Sequence, residues 1–477
     1  RDRLRSRGLG DVYKRQDVGL IADISEDLPN YENLMKYDEQ ISLFNDSINE
    51  VIGTEGVYAI PAEMNSNGPT EYKEDTVAVM PRLEWDHYVE VGAPEMKNLD
   101  DLLDTLKKIQ DAYPTNEAGD KTYALSLWPD WDGTSIENVN QLTKWYGQEV
   151  NGSILLGTDN SITPLTDKDG AYYKMLKFLY KANQMGLVDP DSATQDWNAA
   201  CDKMRQGRVH LFWYNWQYGF WNSPAKGEAR QNYRGIPLED LNIYQASDTY
   251  YGDGRAWAVG SNVSDEDKAR ILEFMDWLCS PEGLTMQHIG QEGFIYTVND
   301  DGTYTLTDAG MTRFADDPQV PEELGGGSWT DGNNQINQWL VASIEMNPET
   351  GETFGSDYWA SFFEKNNTAT NKEWSEKFGS ETEVSYLEEN GMLNIVPNVN
   401  LVLPIDTTDI ALIRSQCGDQ VKATSWQAIF ASDDAEFDQM WDEMCVTLEG
   451  LGWDQLVEFD TDKYQAVVDA REAAVAE

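Results

Sequence analysis

Seven of the ten residues from Phe212 to Trp221 are aromatic: Phe212, Trp213, Tyr214, Trp216, Tyr218, Phe220 and Trp221. Asn215, Gln217 and Gly219 interleave them. Side chains alternate sides along a strand, so an extended run sets Phe212, Tyr214 and Trp216 opposite Trp213. One set then lines something besides a core. Flat rings beside amides and carboxylates suit a ligand with apolar C–H faces and a rim of hydroxyls, which is the outline of a sugar. The plainer reading is a densely packed hydrophobic strand. Further candidates sit in loops. Trp128 and Trp131 belong to the turn Trp128-Pro-Asp-Trp-Asp-Gly133, and Trp329 lies between Gly327 and Asp331. Glu63 and Asn65 follow Pro61, while Asp130, Asp132, Asp253 and Arg255 flank the aromatic loops. For the rings the alternative is core or surface packing, and for the charges it is surface ion pairing.

Catalytic signatures are missing from the sequence: there is no G-x-S-x-G, H-E-x-x-H or G-x-x-x-x-G-K-[ST]. With 85 acidic residues, chance pairs at the spacing a glycosidase requires are guaranteed, and no motif singles one out. Asp-Gly steps at Asp132, Asp169, Asp253 and Asp301 fail the calcium-loop pattern at its first ligand, which is Trp128, Leu165, Thr249 or Thr297. Cys201, Cys279, Cys417 and Cys445 form no CxxC pair, and His87, His210 and His288 are dispersed. Neither a metal nor a redox dithiol is expected, and no cofactor.

Lys and Arg number 35, so the net charge is −50. Such a field repels phosphate backbones and anionic headgroups, which disfavours nucleic acid and leaves neutral or cationic ligands open. The first sixteen residues break the pattern with six basic residues against Asp2 and Asp11. They lack the apolar stretch of a signal peptide, and residues 1–16 are expected to be a non-native leader. No stretch approaches the ~20 apolar residues that span a bilayer.

The elements that must position these residues alternate between strand and helix, which argues an α/β fold. Val57–Pro61 and Thr76–Met80 read as strands, with Glu63–Gly68 as a polar loop where such sheets hold ligands. Asn98 caps a helix striped by Leu99, Leu102, Leu103, Leu106 and Ile109. Tyr172, Met175, Leu176 and Leu179 mark another, closed by Gly186. Ser264 caps a third, with Ile271, Leu272, Met275 and Leu278, and Phe437 through Leu451 makes a fourth before Gly452. Asp317–Asn400 is polar, rich in Gly and Trp, and weakly periodic.

In their order, several of these stretches resemble the extracellular solute-binding proteins of ATP-driven (ABC) importers, of the sugar-capturing kind. Gly56-Val-Tyr-Ala-Ile-Pro61, Arg82 through Asp104 with Gly92-Ala-Pro94, Gly186-Leu-Val-Asp-Pro190, Phe274-Met-Asp-Trp-Leu278 with Ser280-Pro-Glu-Gly283, Gln291-Glu-Gly-Phe-Ile-Tyr296 and Leu451-Gly-Trp-Asp454 carry the likeness. It implies a two-lobed periplasmic-binding-protein-like fold of type II, its lobes joined by hinge strands near Lys121–Leu125 and Arg255–Gly260. Lobe 1 would take 17–122 and 258–316, and lobe 2 would take 123–257 and 317–477. By the same resemblance, Trp131 and Trp216 match stacking positions at the cleft, and Glu63 and Asn65 match ligand-contacting ones. Arg82, Trp277, Trp441 and Trp453 read as structural. The implied function is capture of an oligosaccharide by hinge closure and delivery to ABC permease subunits, without catalysis, by a monomeric lipoprotein at the cell surface. Members open with a lipoprotein signal ending in cysteine and a first βαβ unit; this sequence shows neither, so lobe 1 is expected to be incomplete at its N-terminus. Two other readings stand beside it: the same fold holding a peptide or charged small molecule, and a glycoside hydrolase.

Overall fold

The computed structural model describes residues 10–336 and 339–476. The helix expected after Asn98 runs Leu99–Ala112, and Asn98 Oδ1 accepts the backbone N–H groups of Asp100 (3.0 Å) and Asp101 (3.2 Å). This satisfies two of the donors that a helix start leaves free. Ser264 Oγ caps Asp265–Leu278 in the same way through Asp267 N at 3.1 Å. The stripes at Ala171–Gln184 and Asp434–Leu451 also form helices. Gly452, at φ 97°, supplies the left-handed turn into a last helix, Trp453–Ala476. Where periodicity is weak, Asp317–Asn400 breaks into short pieces, among them Trp329–Gln335, Ala360–Asn366, Ala369–Phe378 and Glu383–Glu389.

Buried apolar side chains gather into two main cores. The larger joins Val77–Ile109, Ala124–Ile243 and Trp374–Leu456, while the smaller joins Ile24–Met64, Val259–Leu284, Leu340, Val341 and Phe354. In the larger, the strand Val79–Glu84 is buried along its whole length between two antiparallel neighbours, Leu211–Tyr214 and Tyr233–Gly235. In the smaller, Ile60–Pro61 pairs antiparallel with Ala256–Trp257. A third cluster, Ile289, Ile295, Tyr296, Leu306, Trp329 and Trp359, follows the smaller core in sequence. The described chain passes between the two main cores near 65–76, 244–258 and 355–373.

Packing draws the division differently from the expected boundary at 122/123. The Leu99–Ile109 stripe shares the larger core with Ala124 and Leu125, both fully buried, because Tyr123 bridges to Val209 and Leu125 to Val188. Ala124 and Leu125 therefore lie inside one core, while Arg255–Gly260 leads from the passage at 244–258 into Val259 of the smaller core. Of the expected leader, residues 1–9 lie outside the described residues. Gly10–Asp17 is helical, with Val12 against Phe44 and Ile48, and Gln16 Nε2 donates to Asn49 Oδ1 and Thr54 Oγ1, both at 2.9 Å.

Arg82, mid-strand and fully buried, ties the larger core together. Its guanidinium donates to the carbonyls of Val77 (2.6 Å), Met80 (3.1 Å) and Trp213 (2.8 Å), to Tyr218 Oη (2.7 Å) and to Glu383 Oε2 (3.0 Å). Every contact is charge-assisted, which is what makes a buried cation tolerable.

Candidate functional site

The aromatic run is a strand only as far as Tyr214; Asn215–Phe220 winds into a 3₁₀ helix. Gln217 Oε1 accepts the N–H groups of Trp213 (2.8 Å) and Tyr214 (2.9 Å), which folds the chain back and ends the alternation. Phe212, Trp213 and Tyr214 are consequently all buried. From there a ladder of rings climbs outward. Trp213 stacks on Trp128 at 5.5 Å and 9°, and both are fully buried. Trp128 meets Trp131 at 5.2 Å and Trp197 at 4.8 Å; Trp131 and Trp197 lie 4.5 Å apart. Trp216 closes the set 5.9 Å from Trp131 and 5.4 Å from Trp197, stacked on Tyr214 at 4.7 Å, and is 41% exposed. Trp128, Trp213 and Tyr214 are thus supports, and Trp131, Trp197 and Trp216 form the accessible face.

Sequence reasoning missed Trp197. The signal was Asp196, whose Oδ1 accepts Ala199 N at 2.8 Å and caps the helix Trp197–Arg205, so the indole stands at a helix start. The loop acids hold this face in place. Asp130 Oδ2 accepts Trp197 N (2.7 Å), while Asp132 accepts Glu137 N (2.9 Å) and Trp426 Nε1 (2.7 Å). Burial pushes the Asp132 carboxyl up to about 6, against the pull of the Trp426 bond. The two acids on either side of Trp131 thus tie its turn to Trp197, Glu137 and Trp426.

Trp329 stands apart from the ladder. It is buried in the third cluster, edge-on to Phe314 at 4.8 Å. Phe314 in turn abuts the 3₁₀ turn so closely that a side chain at Gly219 would meet its Cβ at 3.1 Å. The ring face therefore lies beside the junction of the larger core with the third cluster.

A polar group lies where the chain crosses between cores. Glu63 holds a left-handed φ of 64°, fixed by its N–H on the Trp339 carbonyl (2.8 Å) and its carbonyl under Thr249 Oγ1 (2.6 Å). Burial first, then the Asp253 charge, push its carboxyl up to about 8, although Arg255 Nη2 lies 3.9 Å away. Arg255 is shared with Asp253 in an ion pair. Asn65 Oδ1 accepts Asn67 N at 2.7 Å, and its buried Nδ2 has no hydrogen-bond partner among the described residues. Asn67 Nδ2 donates to Asp248 Oδ2 at 2.7 Å and its Oδ1 accepts Lys73 Nζ at 2.8 Å. Glu74 joins this group: burial, then Asp248 and Asp357, push it up to about 7, opposed by bonds from Tyr358 and Tyr72. Glu74, Asn67, Asp248, Asp357 and Tyr358 went unread in the sequence, since polar loop residues carry no period. The two groups meet through 72–78, where Tyr72 Oη donates to the Thr76 carbonyl (2.6 Å) and Asn215 N to the Ala78 carbonyl (3.0 Å). A groove of about 440 Å³ lies elsewhere, lined by Lys168, Lys174, Lys177 and Lys181, each paired with an aspartate.

The ring face thus stands on the larger core, and the polar group where the chain passes between the two main cores. The chain belongs to the bacterial extracellular solute-binding proteins, whose family model matches residues 10–321. Similar solved structures include an HMO-binding, ABC-transporter-associated solute-binding protein from Bifidobacterium longum infantis (15% identity, 97% of this chain and 86% of that one, TM-score 0.57). They also include the S. pneumoniae ABC-transporter substrate-binding protein FusA in complex with kestose (17%, 96% and 86%, 0.54). A third is the N-glycan transport solute-binding protein NgtS of Streptococcus pneumoniae in complex with Man1GlcNAc (13%, 96% and 86%, 0.52). At these identities the likeness is one of fold. No curated protein matches the chain.

Proposed function

We propose that this protein captures an oligosaccharide between its two lobes and delivers it, as a monomer, to the permease of an ABC importer. The observation that carries the reading is the trio Trp131, Trp197 and Trp216, with centroids 4.5, 5.4 and 5.9 Å apart, presented beside the junction. Indole faces there would stack on sugar C–H surfaces, while Glu63, Asn65, Asn67, Asp248 and Arg255 would take the hydroxyls. Contacts from both sides favour a closed arrangement over an open one, with the crossings near 65–76 and 244–258 as hinges. The solved relatives whose names state a glycan support the same class of ligand.

The polar group favours one second reading. Among the described residues Glu63, Glu74, Asp248, Asp253 and Asp357 outnumber the cations beside them, Arg255, Lys73 and Arg313, which suits a cationic small molecule or peptide. A calorimetric and thermal-shift panel of neutral oligosaccharides, basic peptides and polyamines separates the two. Saturable binding of an oligosaccharide is expected; binding confined to the cationic members would replace the sugar reading with the second.

A further inference from the structure

Away from the cleft, Glu84, Asp86 and His87 each offer one ligand atom, all within 4.8 Å of one another. Glu84 ends the central strand, and Asp86 and His87 open the helix Trp85–Glu90 that follows it. His87 Nδ1 stands 3.2 Å from Glu84 Oε2, yet it is a buried nitrogen without a hydrogen-bond partner among the described residues. The Glu84 side chain is only 6% exposed, and among the described residues its carboxylate accepts no hydrogen bond. An imidazole nitrogen and a carboxylate oxygen 3.2 Å apart that do not meet as a hydrogen bond fit as neighbouring ligands. Bonds of ~2.0–2.1 Å at tetrahedral angles set ligand atoms about 3.3 Å apart.

The surroundings fit the same purpose. The His87 ring lies against Tyr113 with centroids 3.6 Å apart, and the Tyr113 hydroxyl is bonded to Glu90. Asp86 Oδ1 takes the His87 backbone N–H at 2.8 Å, which orients the carboxylate. Lys226 influences Glu84 only at longer range, because its Nζ sits 3.3 Å from the centre of the Trp221 ring. Among the described residues no cation neutralises the buried carboxylate by contact, which leaves it open to a proton or a bound cation.

We propose that Glu84, Asp86 and His87 bind one divalent cation of the zinc class, clipping the end of the central strand to the helix after it. An imidazole nitrogen with two carboxylates selects borderline transition metals over calcium or magnesium, which take oxygen sets. Dispersed cysteines and histidines gave no reason to expect a metal, whereas Glu84, Asp86 and His87 fall within four residues at a strand-to-helix corner. The opposite end of the strand, Val79, pairs with Tyr214 beside the ring ladder. Five steps of ~3.3 Å place the cation site about 17 Å from it, so metal binding and solute capture are separable.

The test uses the full chain, stripped with chelator and titrated with zinc chloride alone by calorimetry and thermal melting. One zinc per chain and a raised melting midpoint are expected, with no shift from calcium or magnesium. Glu84→Gln and His87→Gln should each weaken zinc binding by at least about tenfold. Should a variant lose its fold, cobalt(II) in the parent chain decides, since nitrogen-coordinated cobalt gives a visible absorption band that an all-oxygen site in the acidic crossing would not match. Absence of zinc binding at millimolar metal, variants that bind as the parent does, or a cobalt spectrum without nitrogen character would each overturn the assignment.

Discussion

Replacing Glu63 with Gln removes a titrating group while keeping the shape of the protonated carboxyl. An unfolded chain releases this proton near the ordinary value of 4.5, and the folded protein holds it up to about 8. Above pH 4.5 the unfolded state therefore ionises first, so rising pH favours unfolding until the folded group also ionises near 8. Each pH unit in that window is worth ~1.4 kcal/mol, which gives a ceiling of about 5 kcal/mol across it. The side chain keeps 19% exposure, and water admitted there lowers the figure, so ~2 kcal/mol or more is the expectation. Glu74 and Asp248 remain in both chains and largely cancel in the difference. Calorimetric melting of parent and Glu63→Gln at pH 5 and pH 8.5 reads the effect directly. The two should melt alike at pH 5, with the variant more stable at pH 8.5. An equal difference at both values would refute the buried, proton-holding state of Glu63.

Other consequences are as concrete. Trp216→Ala or Trp131→Ala should weaken saccharide binding by about 10–100-fold, because an aromatic contact contributes ~1–3 kcal/mol, and unchanged calorimetric affinity in both would remove the ring face from the site. Trp213→Ala should instead cost ~3–5 kcal/mol of stability, read in denaturant melts, since its ring is wholly enclosed. Arg82→Ala takes from the buried Glu383 its ion-pair partner, leaving the Tyr218 hydroxyl, the Gly235 N–H and the Arg234 charge beside it, at an expected ~3 kcal/mol; a loss under 1 kcal/mol would contradict the network described. Gly252→Ala, at φ 91° with its Cβ 2.5 Å from the Ala62 carbonyl, should cost ~1–3 kcal/mol and lower the melting point, and a neutral result would show that the crossing yields there.

Helices with a cap and a stripe were legible in the sequence: Leu99–Ala112, Asp265–Leu278 and Asp434–Leu451 stand where Asn98, Ser264 and Gly452 placed them. The family was legible from the order of weak motifs, since order survives when identity does not. The aromatic run misled because alternation assumes an unbroken strand, and one glutamine side chain, Gln217, captured two backbone donors and ended it. Trp128 and Trp329 looked like loop residues by their polar neighbours, yet their own size drew each into a core. Trp197 and Glu74 take their significance from partners distant in the chain, which no local pattern records.

The guanidinium of Arg82 waits for a carboxylate 301 positions further along. At ~5–20 residues per second of synthesis, that is an interval of roughly 15–60 s. Throughout it the central strand lacks the anion that makes its enclosure favourable, so the larger lobe has no completed interior to close around. A nascent polypeptide kept open in this way stays threadable, a useful property for a member of an extracellular family whose chains must pass through a membrane before they become rigid.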